Sequence, residues 1–190
     1  MEGFAIGEVR TGSTYEVERA AARARLASIA EHRRVDLGGG LVLVFETRET
    51  VRTALEELLR AERVGDEERI ATESAAFAEL IGGRHELVAT LYLDVADPVE
   101  LADRLTELPG IANAVSLGVA GDRVSAQADP ADDPSGAFTL RFGLSSEQCG
   151  ALIDGAAVAV SVNHPGCLGS ASLSAEQRRA ISADLQRDGR

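Results

Sequence analysis

The apolar positions change period several times along the chain, and the sharpest change falls within residues 41–64. Leu41, Val42, Leu43, Val44 and Phe45 form an unbroken apolar run behind Gly38-Gly39-Gly40. A short run with β-branched residues, entered from a turn, predicts a buried strand. From Arg48 onward the period becomes helical. At about 100° per residue, Val51, Ala54, Leu55, Leu58 and Leu59 share one arc, and Glu49, Arg52, Glu56, Arg60 and Arg63 form a charged stripe. Thr47 is placed to cap this helix, Glu49 suits the positive end of its dipole, and Gly65 marks its stop. Arg52–Glu56 and Glu56–Arg60 are i,i+4 pairs, worth about 0.2–0.5 kcal/mol each on an exposed face. Glu62 breaks the pattern: it projects inside the apolar arc, in the last turn, where the dipole disfavours an anion. A half-buried glutamate there needs a cation or a raised pKa, and Arg34 and Arg69 are the expected partners.

The other segments follow by the same reasoning. Ser13-Thr14-Tyr15-Glu16 has the form of a capping box. The Ala- and Arg-rich stretch to about residue 33 then reads as a helix with a thin apolar face, Tyr15, Ala22, Leu26 and Ile29, interrupted by Arg19. Residues 66–81 predict a helix through Ile70, Phe77, Ala78 and Ile81, ended by Gly82-Gly83. Residues 86–95 are apolar on nearly both faces, as in a central strand. Asp97-Pro98 opens a helix carrying Leu101, Leu105 and Leu108. Runs 114–120 and 123–128 around Gly121-Asp122 predict a hairpin. Residues 129–136 form an acidic, proline-containing loop, read as solvated because it lacks EF-hand spacing. Phe138, Leu140, Phe142 and Leu144 alternate as in a half-buried strand. Ser145 caps a short helix, residues 156–162 form a further strand, residues 163–167 leave it as a loop, and Ser174 caps the last helix. A regular βαβ rhythm and a GxGxxG motif are both missing. The class predicted is α+β, with a mainly antiparallel sheet of about five to six strands and helices packed on it. The chain reads as a single domain, 1–190, with residues 1–12 and 188–190 as loosely ordered tails.

Composition narrows the function classes. With 190 residues and 45% hydrophobic content the chain is long enough for a real core, and with 4% aromatics and no Trp that core must be aliphatic. Asp and Glu outnumber Lys and Arg by 31 to 19, a net charge of −12. That argues against a nucleic-acid backbone or an anionic membrane as partner, and is compatible with cations or basic partners. A protein partner or a homo-oligomer is the expectation for its associations. The start, MEGFAIGEVR, has neither the basic nor the apolar region of a signal peptide, and two cysteines make no disulfide framework, so a cytoplasmic location is expected.

Candidate chemistry is sparse. His164 follows a strand end and precedes Pro165, and His164-x-x-Cys167 is a spacing that two ligands of one zinc ion use, with Cys149 a conceivable third. No second CxxC or HxxxH accompanies them. His164 is alternatively a loop histidine bonded to a backbone carbonyl, or a base or single ligand in a mixed His/carboxylate site. Cys149 lies in the first turns of a helix, where a thiol pKa is lowered, yet it has no partner histidine nearby and reads as a packed thiol. The candidate site is therefore His164 with Arg52, Glu56, Arg60 and Glu62: the carboxylates would join His164 at iron or zinc, and the arginines would hold an anionic substrate. No nucleophile motif is present.

The order Arg34-Val35, the glycine turn, Phe45-Glu46, Thr50-Val51-Arg52, Glu56 and Leu59-Arg60-Ala61-Glu62-Arg63 resembles the bacterial family catalogued as domain of unknown function 3501. The likeness continues through the strand 138–142, Gly155, His164-Pro165 and Ala183-Asp184-Leu185. The family pattern carries an aromatic residue, usually Tyr, at the position of Cys167, so the His164–Cys167 pair is particular to this chain. The resemblance implies no established activity. Its members tend to be encoded beside rubrerythrin-like and iron–sulfur proteins, which implies iron- or peroxide-linked physiology by association. Three functional readings stand: an accessory or interaction protein with a redox partner, a metal-dependent protein or enzyme, and a small-molecule binding domain.

Overall fold

Side chains that meet the free N–H groups of the first turns set most helix starts. The computed structural model describes residues 4–5, 7–128 and 135–187; the acidic run 129–134 and the terminal residues 1–3 and 188–190 lie outside the described residues. Two units divide the chain, one made of residues 1–31 and 46–82, the other of residues 32–45 and 83–190.

The first unit is helical. Helix α1, Gly12–Glu31, begins before Ser13, so the expected capping box lies inside its first turn; it buries only Tyr15 and Ala22, as its thin apolar face predicts. Helix α2, Arg48–Ala61, starts as expected at Thr47, whose side chain accepts the Thr50 N–H (3.1 Å) while the Thr50 hydroxyl accepts the Thr47 N–H (2.8 Å). It stops sooner than Gly65 suggests. Val64 N–H bonds the Leu59 carbonyl at 2.8 Å and Arg63 takes the left-handed conformation (φ 54°), a Schellman ending. Val64 drives this stop: it buries itself with Leu55 and Leu59, against which Phe4, Val9, Ile70 and Phe77 also pack. Helix α3, Glu67–Ala78, is capped by Asp66.

Among the described residues the second unit holds nine strands and three further α-helices. In chain order these are β1 (Arg34–Gly38), β2 (Leu41–Phe45), β3 (Glu86–Leu93), α4 (Pro98–Glu107), β4 (Val115–Val119), β5 (Asp122–Ser125), β6 (Gln127–Ala128), β7 (Ala137–Gly143), α5 (Ser146–Ile153), β8 (Val158–His164), β9 (Cys167–Ser172) and α6 (Ala175–Arg187). The α+β class and the antiparallel pairing hold. The strands, however, divide into a five-stranded sheet, β1-β2-β3-β7-β6, and a four-stranded one, β5-β4-β8-β9. Strand β3 is central in the larger sheet, as its apolar faces predict. The three extra strands are β1, read from sequence as a lead-in, β9, whose first residue Cys167 is read there as part of a loop, and one more because the run 123–128 divides into β5 and β6, which join different sheets. Strands β1 and β9 carry few large apolar residues, and each is recruited by pairing to a stronger neighbour. The alternation of β7 aligns Phe138 with Leu91 and Leu140 with Ala89, while Leu43 meets Leu91 from the other side. Leu117 on β4 lies beside Val160 on β8 in the same core. Ser145 and Ser174 cap α5 and α6 as expected.

At one place the edges of the two sheets nearly touch. A Cβ added to Gly169 on β9 would lie 2.1 Å from the Leu37 carbonyl oxygen on β1. Only a residue without a side chain permits that backbone approach. Among the described residues no helix is long and apolar enough to cross a membrane.

Candidate functional site

The charged stripe of α2 is solvated at Arg60 and Arg63 but not at its centre. Glu56 is 0% exposed. Its carboxylate accepts three hydrogen bonds from Arg10: from the backbone N–H (3.0 Å), from Nε (2.8 Å) and from Nη2 (2.6 Å). Arg10 reaches it from the segment before α1, and its other Nη donates to Glu18. Hydrogen bonding to Glu56, more than any other influence, holds the Arg10 guanidinium above its ordinary pKa. The next residue repeats the arrangement. Glu57 accepts from Arg19 Nε (2.7 Å) and Nη2 (3.0 Å) and from the Tyr15 hydroxyl (3.0 Å). The bond from Arg19 is the main cause that holds the Glu57 carboxyl below its usual range, while burial, with Glu57 behind it, pushes the Tyr15 phenol up to about 12.

Phe4, Glu8 and Arg10, within the stretch expected to be loose, therefore make specific contacts. Besides Arg10, Glu8 forms a two-pronged pair with Arg48, Nε to Oε1 at 2.9 Å and Nη2 to Oε2 at 2.8 Å. The Arg48 guanidinium lies 5.0 Å from the centre of the Phe4 ring. The bond from Arg48 lowers the Glu8 pKa from 4.5 to about 2. A folded-state pKa below the unfolded value contributes stability above the unfolded pKa, and that contribution fades as pH falls toward the folded one. Glu8→Gln should accordingly melt below the wild type at neutral pH, with the gap closing between about pH 4.5 and pH 2. A gap that stays constant across an acid series of thermal melts would show that the pair contributes nothing.

The remaining expected site residues turn to separate partners. Arg60 Nε donates to Glu16 at 2.6 Å. Arg52 stands 3.9 Å from Glu49 and 4.0 Å from Glu56, and its buried Nε has no hydrogen-bond partner among the described residues. Glu62 is corrected in burial but not in partner. It pairs with Arg69, as expected, yet it is exposed, because α2 has already ended and Glu62 is the C-cap rather than part of the apolar arc. The helical projection fails there because the backbone is no longer helical.

His164 belongs to the second unit. It is the last residue of β8, not part of a loop, and faces Cys167 across the two-residue turn Pro165-Gly166. Gly166 N–H donates to Nδ1 (3.0 Å), and Nε2 meets the Pro109 carbonyl at 3.0 Å. Both ring nitrogens are thus engaged by backbone groups. A metal would have to displace one of those bonds. Among the described residues, no three His, Cys, Asp or Glu side chains gather in an arrangement that could hold a metal ion. Cys149 is the packed thiol expected: it is buried, and burial pushes its thiol pKa up despite its place in the first turns of α5.

The structure thus brings together Arg52 and Glu56, sends Arg60 and Glu62 elsewhere, and adds Arg10, Arg19, Tyr15 and Glu57, which sequence reasoning missed. Arg19 carried one signal, as the charge interrupting the apolar face of α1. Arg10 carried none, since its partner is distant in the chain.

Comparison with known proteins defines the class. The chain belongs to the family of proteins of unknown function DUF3501, whose model matches residues 5–185. It is similar to a solved structure described as a novel protein of unknown function from Burkholderia pseudomallei K96243, with a TM-score of 0.89 and 26% identity over 97% of this chain and 100% of that one. No curated protein matches the chain.

Proposed function

We propose that this protein is an accessory or interaction protein in iron- or redox-linked physiology, acting through a protein partner or as a homo-oligomer. The observation that supports this reading is the use to which the acid-base residues are put. Glu56 spends its acceptor capacity on Arg10, and His164 spends both nitrogens on backbone groups. Carboxylates and imidazoles held this way brace the fold rather than await a substrate. The iron or redox link draws on the proteins beside which family members tend to be encoded.

The test is co-purification from the native host with a tag on the chromosomal copy, paired with metal analysis of the isolated protein. A stoichiometric redox-protein partner is the expected result. Stoichiometric iron or zinc that disappears in His164→Ala, with no partner recovered, would overturn the reading in favour of a metal-dependent protein.

A further inference from the structure

Helix α1 is 20 residues long, yet the only side chains it buries are Tyr15 and Ala22. Projected at about 100° per residue, four of its charges fall on two opposite flanks: Glu16 and Arg23 on one, Glu18 and Arg25 on the other. Arg19 stands apart, on the Tyr15 side, where it holds Glu57. Opposite Tyr15, between the flanks, lies a second uncharged arc: Val17, Ala20, Ala21, Ala24, Ala27 and Ser28. All six are exposed, and Val17 is 84% exposed. A surface helix normally turns charge toward water. One that is uncharged on two opposite sides, with its charges confined to the flanks, is built to be covered on both.

An uncovered face does not name its occupant, but the flanks do. Each flank runs from acid to base along the helix, Glu16 then Arg23 and Glu18 then Arg25. A second copy laid parallel would set acid beside acid and base beside base. Reversed end to end, it sets Glu16 opposite Arg23 of the second copy on one flank and Glu18 opposite Arg25 of the second copy on the other, because like flank meets like flank in an antiparallel pair. The charge order is thus its own complement under a two-fold axis, which is what an isologous interface requires. Arg23 has no acidic partner among the described residues. Glu16, Glu18 and Arg25 hold Arg60, Arg10 and Glu49 within the chain, and about half of each of the three side chains stays in solvent. A carboxylate in that position has lone pairs left for a second guanidinium.

We infer that α1 is a homodimer interface, on which a second copy of the chain packs its own α1 antiparallel. The two-fold axis falls between Ala20 and Ala21, Val17 meets Ala24 of the second copy, and the Glu16–Arg23 and Glu18–Arg25 pairs run along the two edges. Side chains this small let the helix axes approach to about 8 Å, the near limit of helix packing. The uncharged arc gives about 24 Å of contact along the helix. That is a small interface, so the dimer dissociates in the micromolar range. The inference deepens the interaction role proposed above and rests on it, by choosing a second copy for this face. Its test uses the isolated chain, with no host partner and no metal analysis, so the two readings fail separately.

Sedimentation equilibrium of the full chain, loaded at about 1–100 μM, is expected to show a reversible monomer–dimer equilibrium. Ala24→Arg puts a charge in the middle of the contact, at an exposed position where arginine is a good helix former. It should give a monomer at every loading, with the melting temperature of the wild-type monomer. Arg23→Glu should weaken dimerisation about tenfold or more, and adding Glu16→Arg to it should recover most of that loss, because the swapped pair keeps its register. A wild-type chain that is monomeric throughout, a dimer that A24R leaves intact, or a swap that recovers nothing would overturn the proposal. A monomeric wild type whose co-purified partner is lost in A24R would do so too, and would assign the face to that partner.

Discussion

Arg10→Ala will destabilise this protein by about 3–5 kcal/mol, the usual cost of leaving a buried charge without its partner. Glu56 is wholly enclosed and three of its hydrogen bonds come from Arg10. The truncation removes two of them and the neutralising charge, and leaves only the backbone N–H. At this chain length the loss corresponds to a drop of about 10 °C in melting temperature, measurable by circular dichroism. The origin of the effect is separable. Arg10→Leu combined with Glu56→Leu should recover most of the loss, because replacing both members of a buried pair by apolar residues is often neutral or stabilising. A loss below about 1 kcal/mol in the single variant would mean that the carboxylate finds another cation. Arg52 is the nearest, with its Nε 4.0 Å from Glu56.

Gly169→Val is the second large effect. The first side-chain carbon would lie 2.1 Å from the Leu37 carbonyl oxygen, a distance real contacts do not reach. What must yield is backbone, on the neighbouring edge strand β1, and not the end of a flexible side chain. Overpacking typically costs 1–3 kcal/mol, and an obstruction between two strands belongs at about 3 kcal/mol or above. Urea unfolding of the variant should show a lowered midpoint. Gly118→Ala is the matching control, since its added carbon sits 3.7 Å from the nearest atom, and it should be neutral or slightly stabilising. Equal stability of the two variants would show that β1 and β9 part without cost.

How much of this was legible in the chain depends on the range of the physics involved. Period, caps and breakers act within a few residues. They placed β2, β3, β7 and the six α-helices of the described residues to within a turn, and the Thr47, Asp97, Ser145 and Ser174 caps are where the sequence pattern expects them. Strand β9 escaped because its inward positions, Cys167, Gly169 and Ala171, are too small to announce a strand; partnership with β8 makes it one. The hairpin after β4 turns at Ala120-Gly121, one residue ahead of the Gly121-Asp122 expected, because register with β5 pairs Val119 with Asp122.

The candidate site shows the same division. A helical projection fixes the angle at which Glu56 leaves α2, but it contains no information about what stands opposite. The i,i+4 spacing of Arg52, Glu56 and Arg60 looked like a self-paired surface stripe. Instead Glu56 took Arg10, 46 residues away, and Arg60 took Glu16, 44 residues away. By itself, then, the sequence determined the α+β class, the aliphatic core and the kind of most elements, since each follows from burying apolar surface at a local period. Only the tertiary structure decided which charges are buried, which face of α1 stays uncovered, and where two strands touch through a glycine. Those outcomes depend on residues brought together from distant parts of the chain, and local pattern carries no record of them.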